Sequence, residues 1–101
     1  PTLVFDEVDS GVGGATASAI GERLYAVGRS VQVLVVTHSP QVAARGDAHL
    51  RISKSVNRGR TETHAAPLDD QARREEIARM LSGDTITPAA RAAADSLLKG
   101  D

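Results

Sequence analysis

The chain has 101 residues, of which 41% are hydrophobic and 2% aromatic, so it is predicted to form one small globular domain with an aliphatic core. Its 12 basic and 13 acidic residues give a formal net charge of −1. This balance excludes binding to nucleic acid or to an anionic membrane through bulk charge. The absence of cysteine excludes disulfides and thiolate metal sites.

The first third of the chain shows a strand, helix, strand pattern. Thr2–Phe5 is a short apolar run that ends in acidic residues, and Val31–Val36 is a second run rich in β-branched residues. Both runs predict strands that are buried on both faces, as in a parallel sheet. Between them, apolar residues recur at helical spacing, namely Ala17, Ile20, Leu24 and Val27. The pattern predicts a βαβ unit.

The rest of the chain predicts a short helix, a hairpin and two further helices. Ser39-Pro40 suits the start of the short helix, and residues 48–56 and 61–68 are strand-like segments on either side of a polar turn. Asp69 or Asp70 is expected to cap the next helix, and Thr87-Pro88 to open the last one. In that last helix Arg91 stands four residues before Asp95, where a salt bridge is expected. Its buried stripe is predicted to be Ala90, Ala94, Leu97 and Leu98.

Two acidic residues, Asp6 and Glu7, directly follow the first predicted strand. Ligands of open α/β sheets bind at the carboxyl ends of the strands. One carboxylate there can hold Mg²⁺ through water, because this cation prefers oxygen and keeps much of its hydration shell. The other can orient or deprotonate an attacking water. The alternative is that the acids only make a turn polar, and these two residues leave both interpretations open.

A glycine-rich loop, Asp9-Ser10-Gly11-Val12-Gly13-Gly14, precedes the predicted helix. Glycine permits close approach of the backbone to another group, although a merely flexible turn would have the same composition. A dinucleotide-binding loop is disfavoured, since that fingerprint requires Gly or Ala where Thr16 stands. It also requires an acidic residue at the end of the second strand, where Thr37-His38 is found.

His38 is expected at the same sheet edge as Asp6, because the carboxyl ends of parallel strands meet there. Its imidazole can donate a hydrogen bond to a phosphate oxygen or a polarised water near neutral pH. A lone histidine at this place is more often a turn residue. His49 and His64 lie in strand patterns and receive no role, and the histidine spacings do not suggest a zinc site.

These segments together resemble motifs of the ABC-type ATPases. Leu3-Val4-Phe5-Asp6-Glu7 resembles the Walker B motif, the loop from Asp9 to Gly14 resembles the D-loop in its SMC-like form, and Thr37–Ala43 resembles the switch-histidine segment. Further along, Gly59-Arg60-Thr61 and Arg73–Gly83 resemble the C-terminal tail of the RecN family of bacterial DNA repair proteins.

The resemblance implies that residues 1–101 form the C-terminal half of a P-loop ABC-type ATPase head, with a βαβ unit followed by a hairpin and two helices. It implies that Asp6 holds the Mg²⁺ of bound ATP through water and that Glu7 activates the attacking water. His38 would contact the γ-phosphate, whereas Asp9 and the loop Ser10-Gly11-Val12-Gly13-Gly14 would lie where two heads sandwich the nucleotide.

The resemblance also implies ATP, a second ATPase head and DNA as partners, and no membrane. It implies a cytoplasmic, nucleoid-associated protein involved in repair of DNA double-strand breaks and recombination. The sequence contains no Gly-x-x-x-x-Gly-Lys-Ser/Thr loop, no signature segment and no heptads, which in the family lie upstream. Because the chain starts at Pro1, we expect a piece of a longer protein. We expect this piece alone to be inactive, because half of the phosphate-binding clamp is missing.

Two alternatives belong to other classes of protein. The first is a Toprim-like, magnesium-dependent nucleic-acid enzyme that uses Asp6, Glu7 and Asp9. It would need a further glutamate at another strand end, where this chain has His38. The second is a non-catalytic interaction domain whose glycine loop serves only packing.

Overall fold

The structure is a computed structural model that describes residues 1–100. Strands and helices follow one another in the order predicted from the sequence, and the mixed α/β fold class is confirmed. The elements are β1 (Thr2–Asp6), α1 (Gly14–Val27), β2 (Gln32–Val36), α2 (Pro40–Ala43), β3 (Leu50–Asn57), β4 (Arg60–Pro67), α3 (Asp70–Ser82) and α4 (Pro88–Lys99). None of these helices is both long and apolar enough to cross a membrane.

β1 and β2 form a parallel pair whose register runs from Thr2 opposite Gln32 to Asp6 opposite Val36. The prediction that both strands are buried on two faces is wrong for the described chain. Because side chains alternate along a strand, one face carries Val4, Leu34 and Val36, which are 64%, 49% and 52% exposed. The physical reason is that the described residues provide no layer over this apolar face.

The first helix approaches α2 closely at Gly21, which is buried. A Cβ atom at Gly21 would lie 3.2 Å from the carbonyl oxygen of Gln41 and 3.3 Å from the Cα of Val42. Contacts this tight leave no room for a side chain between the two backbones. The predicted start of α2 is present, since the Ser39 hydroxyl accepts a hydrogen bond from the Val42 N–H at 3.4 Å.

β3 and β4 form the predicted antiparallel hairpin. Its turn is Arg58-Gly59, with φ of 53° and 76°, and Asn57 pairs with Arg60, so the ends of the predicted polar turn belong to the strands. Positive φ at both turn residues is typical of a two-residue hairpin. Every residue of both strands is exposed, so the hairpin projects from the helical part of the molecule.

The hydrophobic core lies among the helices rather than under a sheet. Ile77, Ala78 and Ala94 are fully buried, with Ala44 and Ala90 beside them. The predicted stripe of α4 faces this core, and its Leu97 and Leu98 are partly buried. Small side chains predominate here because α2, α3 and α4 pack closely.

Both long C-terminal helices start at the predicted caps. The Asp69 carboxylate accepts from the Ala72 N–H at 2.8 Å, and the Thr87 hydroxyl accepts from the Ala90 N–H at 3.0 Å. Each cap satisfies a backbone N–H that has no partner within its helix.

The expected salt bridge between Arg91 and Asp95 within α4 does not form. Arg91 instead binds Glu75 with nitrogen–oxygen distances of 3.0 and 3.2 Å. Asp95 accepts two hydrogen bonds from Arg74 at 2.6 and 3.0 Å. The physical reason is that α3 lies beside α4 and offers both residues partners of opposite charge, so the pairs link the helices.

Candidate functional site

The parallel strand pair places the ends of β1 and β2 side by side. Asp6 lies opposite Val36, and the Glu7 N–H donates to the Val36 carbonyl at 2.8 Å. Glu7 has a φ of 52°, a left-handed conformation that is uncommon for residues other than glycine. The chain therefore turns sharply out of the strand directly after Asp6.

Glu7 and His38 meet at this sheet edge. The distance between Glu7 Oε1 and His38 Nε2 is 2.9 Å, and the two side chains are 43% and 92% exposed. A neutral imidazole with its proton on Nε2 can donate to the carboxylate at this distance, and a charged one can do the same. The edge thus carries a carboxylate in contact with an exposed imidazole.

The glycine loop connects this edge to α1 through two tight turns. The Ser10 N–H donates to the Glu7 carbonyl at 3.1 Å, and the Val12 N–H to the Asp9 carbonyl at 3.4 Å. Gly11 has a φ of 80°, which glycine adopts without strain. Gly13 is the N-cap of α1, and a Cβ atom on Gly14 would lie 3.4 Å from Nε2 of Gln41.

Asp9 is buried, with 7% of its surface exposed. One of its carboxylate oxygens accepts a hydrogen bond from the Thr37 hydroxyl, and that hydroxyl accepts the Ser39 N–H at 2.9 Å. The part played by Thr37 was missed in the sequence. The sequence does show a hydroxyl residue, Thr37, between the end of a strand and a histidine. It does not show that this hydroxyl donates a hydrogen bond to Asp9.

An open cavity of about 230 Å³ lies at this edge. Three of its lining residues carry the polar side chains considered above, Glu7, Asp9 and His38, and the others are Ser10, Gly11 and Ser39. Among the residues expected to bind nucleotide, Asp6, Gly13 and Gly14 lie outside this lining. The structure therefore brings together six residues from the ends of two strands, of which only Ser39 was not expected at the site.

Within residues 1–100, no group of three or more histidine or acidic side chains could hold a metal ion by itself. This arrangement fits Mg²⁺ bound through one carboxylate, water and a phosphate-bearing substrate, because Mg²⁺ retains several waters in such sites. Asp6 is exposed at the end of β1 and is free to take a hydrated ion, whereas the Asp9 carboxylate is engaged by Thr37.

A larger cavity of about 510 Å³ lies between α1, the segment after α2, α3 and α4, and both of its arginines, Arg45 and Arg73, donate to backbone carbonyls. Arg73 donates to the carbonyls of Ala43 at 3.0 Å and Gly46 at 2.6 Å. Arg45 donates to the carbonyl of Leu97. These guanidinium groups close helix ends, so the cavity is better explained by helix capping than by ligand binding.

No protein-family model matches the chain. The chain is 56% identical over 99 residues to the DNA repair protein RecN of Xylella fastidiosa (strain Temecula1), covering 98% of this chain and 18% of that protein. It is 51% identical over 100 residues to RecN of Deinococcus radiodurans, covering 99% and 18%. It is 46% identical over 98 residues to RecN of Bacillus subtilis, covering 97% and 17%.

One solved structure is similar in fold, with a TM-score of 0.63 and 16% identity. It is described as "Structural biochemistry of ATP-driven dimerization and DNA stimulated activation of SMC ATPases". The match covers 84% of this chain and 50% of that one, so the chain shares the fold of part of that protein. The sequence relatives are matched over 97% to 99% of the chain, which spans about 18% of their length. These relatives confirm the resemblance to the RecN family over nearly the whole of this chain.

Proposed function

We propose that these residues form the C-terminal lobe of an SMC-like ATPase head in a RecN-type DNA repair protein, and that they supply the water-activating edge of its ATP site. The observation that carries the proposal is the Glu7–His38 pair, with 2.9 Å between Oε1 and Nε2. The relatives named DNA repair protein RecN and the fold shared with an SMC ATPase structure support it.

In this proposal Glu7 is the general base. Its carboxylate lines the cavity and orients or deprotonates the attacking water. His38 contacts only one carboxylate oxygen, and the other can accept a hydrogen bond from water. Since the imidazole is 92% exposed, its N–H could donate to a γ-phosphate oxygen instead of Glu7 when ATP is bound.

Asp6 is proposed to hold Mg²⁺ through water. The ion, when bound with ATP, neutralises charge that develops on the transferred phosphoryl group. Asp6 stands one residue before Glu7 and outside the cavity lining, so the two carboxylates serve different positions of the site.

The exposed loop from Ser10 to Gly14 is proposed as the contact with a second head across the nucleotide. Its glycines Gly11, Gly13 and Gly14 allow a close approach. Asp9 takes part through the backbone of this loop, since its side chain is buried. The complete protein would act on broken DNA at the nucleoid in the cytoplasm, whereas these residues alone, which include no phosphate-binding Lys loop, would not turn over ATP.

The substitution Glu7→Gln in a complete RecN protein that contains these residues tests the proposal. We expect ATP hydrolysis to fall roughly 10²- to 10⁴-fold, the usual contribution of a general base. ATP binding and head dimerisation should persist, because the amide keeps the volume of the carboxylate. Glu62→Gln on the exposed hairpin is the matched control. Turnover near that of the unmodified protein would remove Glu7 from this role.

An interaction domain without catalysis is the second candidate, favoured by the apolar sheet face around Val4, Leu34 and Val36. Hydrolysis assays of the complete protein with Mg²⁺ and ATP separate the two functions. Mg²⁺-dependent hydrolysis that is lost in Asp6→Asn supports the ATP site, and the absence of hydrolysis supports the interaction domain.

The Toprim-like enzyme lacks support at the second strand end, because β2 leads into Thr37 and His38 instead of a glutamate. Magnesium-dependent cleavage of DNA by the complete protein, lost in Asp6→Asn, would reinstate it.

A further inference from the structure

Asp9 is one of two buried charged residues in the described chain, the other being Glu76. Glu76 is paired with Arg79 and Arg51, whereas no salt bridge to Asp9 is found among residues 1–100. Burying a carboxylate without a cation is costly unless it accepts hydrogen bonds. The bond from the Thr37 hydroxyl is therefore the main side-chain compensation that the fold provides for Asp9.

The hydroxyl of Thr37 has one proton and two acceptor lone pairs. An ionised Asp9 only accepts, so the hydroxyl proton must point to Asp9. A lone pair is then directed away from the carboxylate, and it accepts the Ser39 N–H at 2.9 Å. Asp9 thereby fixes the direction of the bond that Thr37 makes to Ser39.

Thr37 and Ser39 are the two neighbours of His38, so this chain of hydrogen bonds holds the backbone on both sides of the histidine. The imidazole itself has little other restraint, since it is 92% exposed and contacts Glu7. Ser39 is also fixed on its far side, because its hydroxyl accepts from Val42 at the start of α2. The position of His38 therefore depends on its backbone.

We propose that Asp9 and Thr37 are positioning residues, which hold His38 beside Glu7 through the bonds from Asp9 to Thr37 and from Thr37 to Ser39. The inference rests on the proposed ATP site for its consequence in catalysis. Neither residue needs to touch the substrate, so their effect should appear in kcat and leave KM unchanged.

The first test is hydrogen exchange of the Ser39 amide in the chain, measured by NMR. Thr37→Val preserves the shape of the side chain but removes the hydroxyl, so exchange at Ser39 should accelerate roughly tenfold, as expected for the loss of one hydrogen bond. The His38 ring signals should shift as well, and Thr37→Ser should restore both values. Thr63→Val on the exposed strand β4 is the matched control. Unchanged Ser39 exchange and unchanged His38 signals in Thr37→Val would overturn the inference.

The second test is ATP hydrolysis by the complete protein. Thr37→Val should lower kcat roughly 10- to 100-fold, the usual effect of a small misplacement of a catalytic group, with KM unchanged and partial rescue by Thr37→Ser. If Thr37→Val does not fold, Asp9→Ala serves instead and should lower kcat in the same direction. Normal turnover in these variants, when Glu7→Gln is inactive, overturns the positioning role. Normal turnover in Glu7→Gln overturns the proposed function instead.

Discussion

Arg51 on the hairpin strand β3 reaches Glu76 on α3, with 3.4 Å between Arg51 Nε and Glu76 Oε2. Glu76 is 9% exposed and also accepts two hydrogen bonds from Arg79. Every residue of the hairpin strands is exposed, so this contact is a side-chain link between the projecting hairpin and the helical core. One buried carboxylate thus connects two parts of the fold.

Replacing this carboxylate should weaken both parts. Glu76→Gln keeps the volume but removes the buried negative charge with which Arg79 and Arg51 pair, so the free energy of unfolding should fall by about 1–3 kcal/mol. Urea denaturation measures this loss, and hydrogen exchange should show the hairpin amides opening more often. Glu62→Gln on the exposed β4 strand is the control. Equal effects of the two substitutions would show that the Glu76 link does not stabilise the fold.

Mild acid should destabilise the chain through His49. Burial, and next the charge of Arg73, lower the pKa of His49 below 6.5, although Glu76 opposes them. The unfolded state then binds a proton more readily than the folded state, so stability is complete above roughly pH 6.5 and falls as the pH drops through the folded pKa. Thermal unfolding between pH 7.5 and 5 should follow this trend. His49→Gln should flatten it, whereas His64→Gln on the exposed hairpin should not.

Stronger acid should remove a second contribution to the stability of the fold, which comes from Glu76. Burial raises the pKa of Glu76, but the hydrogen bonds and charge of Arg79, helped by Arg51 and His49, outweigh it, so the pKa lies below 4.5. A carboxylate whose pKa is lower in the folded than in the unfolded state stabilises the fold at pH values above its unfolded pKa. This stabilisation is lost as the pH falls through its folded pKa. Denaturation midpoints below roughly pH 4.5 should therefore fall more steeply in the unmodified chain than in Glu76→Gln. Parallel curves would contradict this assignment.

A methyl group at position 21 should separate α1 from α2. Ala has a helix propensity about 1 kcal/mol better than Gly, but the new Cβ atom would lie 3.2 Å from the Gln41 carbonyl oxygen. Overpacking of this kind costs about 1–3 kcal/mol, so Gly21→Ala should be destabilising or neutral in spite of its propensity. Arg23→Ala on the exposed side of α1 is the reference substitution in the same urea titration. A clear gain in stability from Gly21→Ala would show that the helices move apart without cost.

His38→Gln in the complete protein should lower kcat for ATP roughly 10²- to 10³-fold, the usual cost of removing one well-placed hydrogen-bond donor near a developing charge. ATP binding, measured by calorimetry, should change little, because the side chain is 92% exposed and the cavity that it lines is open. His64→Gln is the control, since His64 lies on the hairpin beside Ser55. A variant with normal kcat would exclude His38 from catalysis.

Features set by local chemistry could be predicted from the sequence. The caps Ser39, Asp69 and Thr87 follow from short polar side chains before helical patterns, and all three accept the expected backbone N–H. The approach of Glu7 and His38 could be predicted as well, since parallel strands deliver their ends to one edge.

Features set by packing could not be predicted. The bond between Asp9 and Thr37 joins two loops whose side-chain rotamers depend on the finished fold. Arg91 and Asp95 pair with residues of α3 instead of with each other. Predicting this would require knowing that α3 lies beside α4. An apolar strand pattern likewise does not reveal whether a second layer covers Val4 and Leu34, because that depends on what packs against the sheet.

The left-handed backbone of Glu7, with its φ of 52°, has a consequence for Asp6. In a regular strand, the side chain of residue 7 would project from the sheet face opposite to that of Asp6. The reversed twist at residue 7 turns the second carboxylate into the cavity, while the first remains with the strand. Two like charges that are neighbours in the chain are thereby given separate surroundings, and each can take up a different partner without competing for the same one.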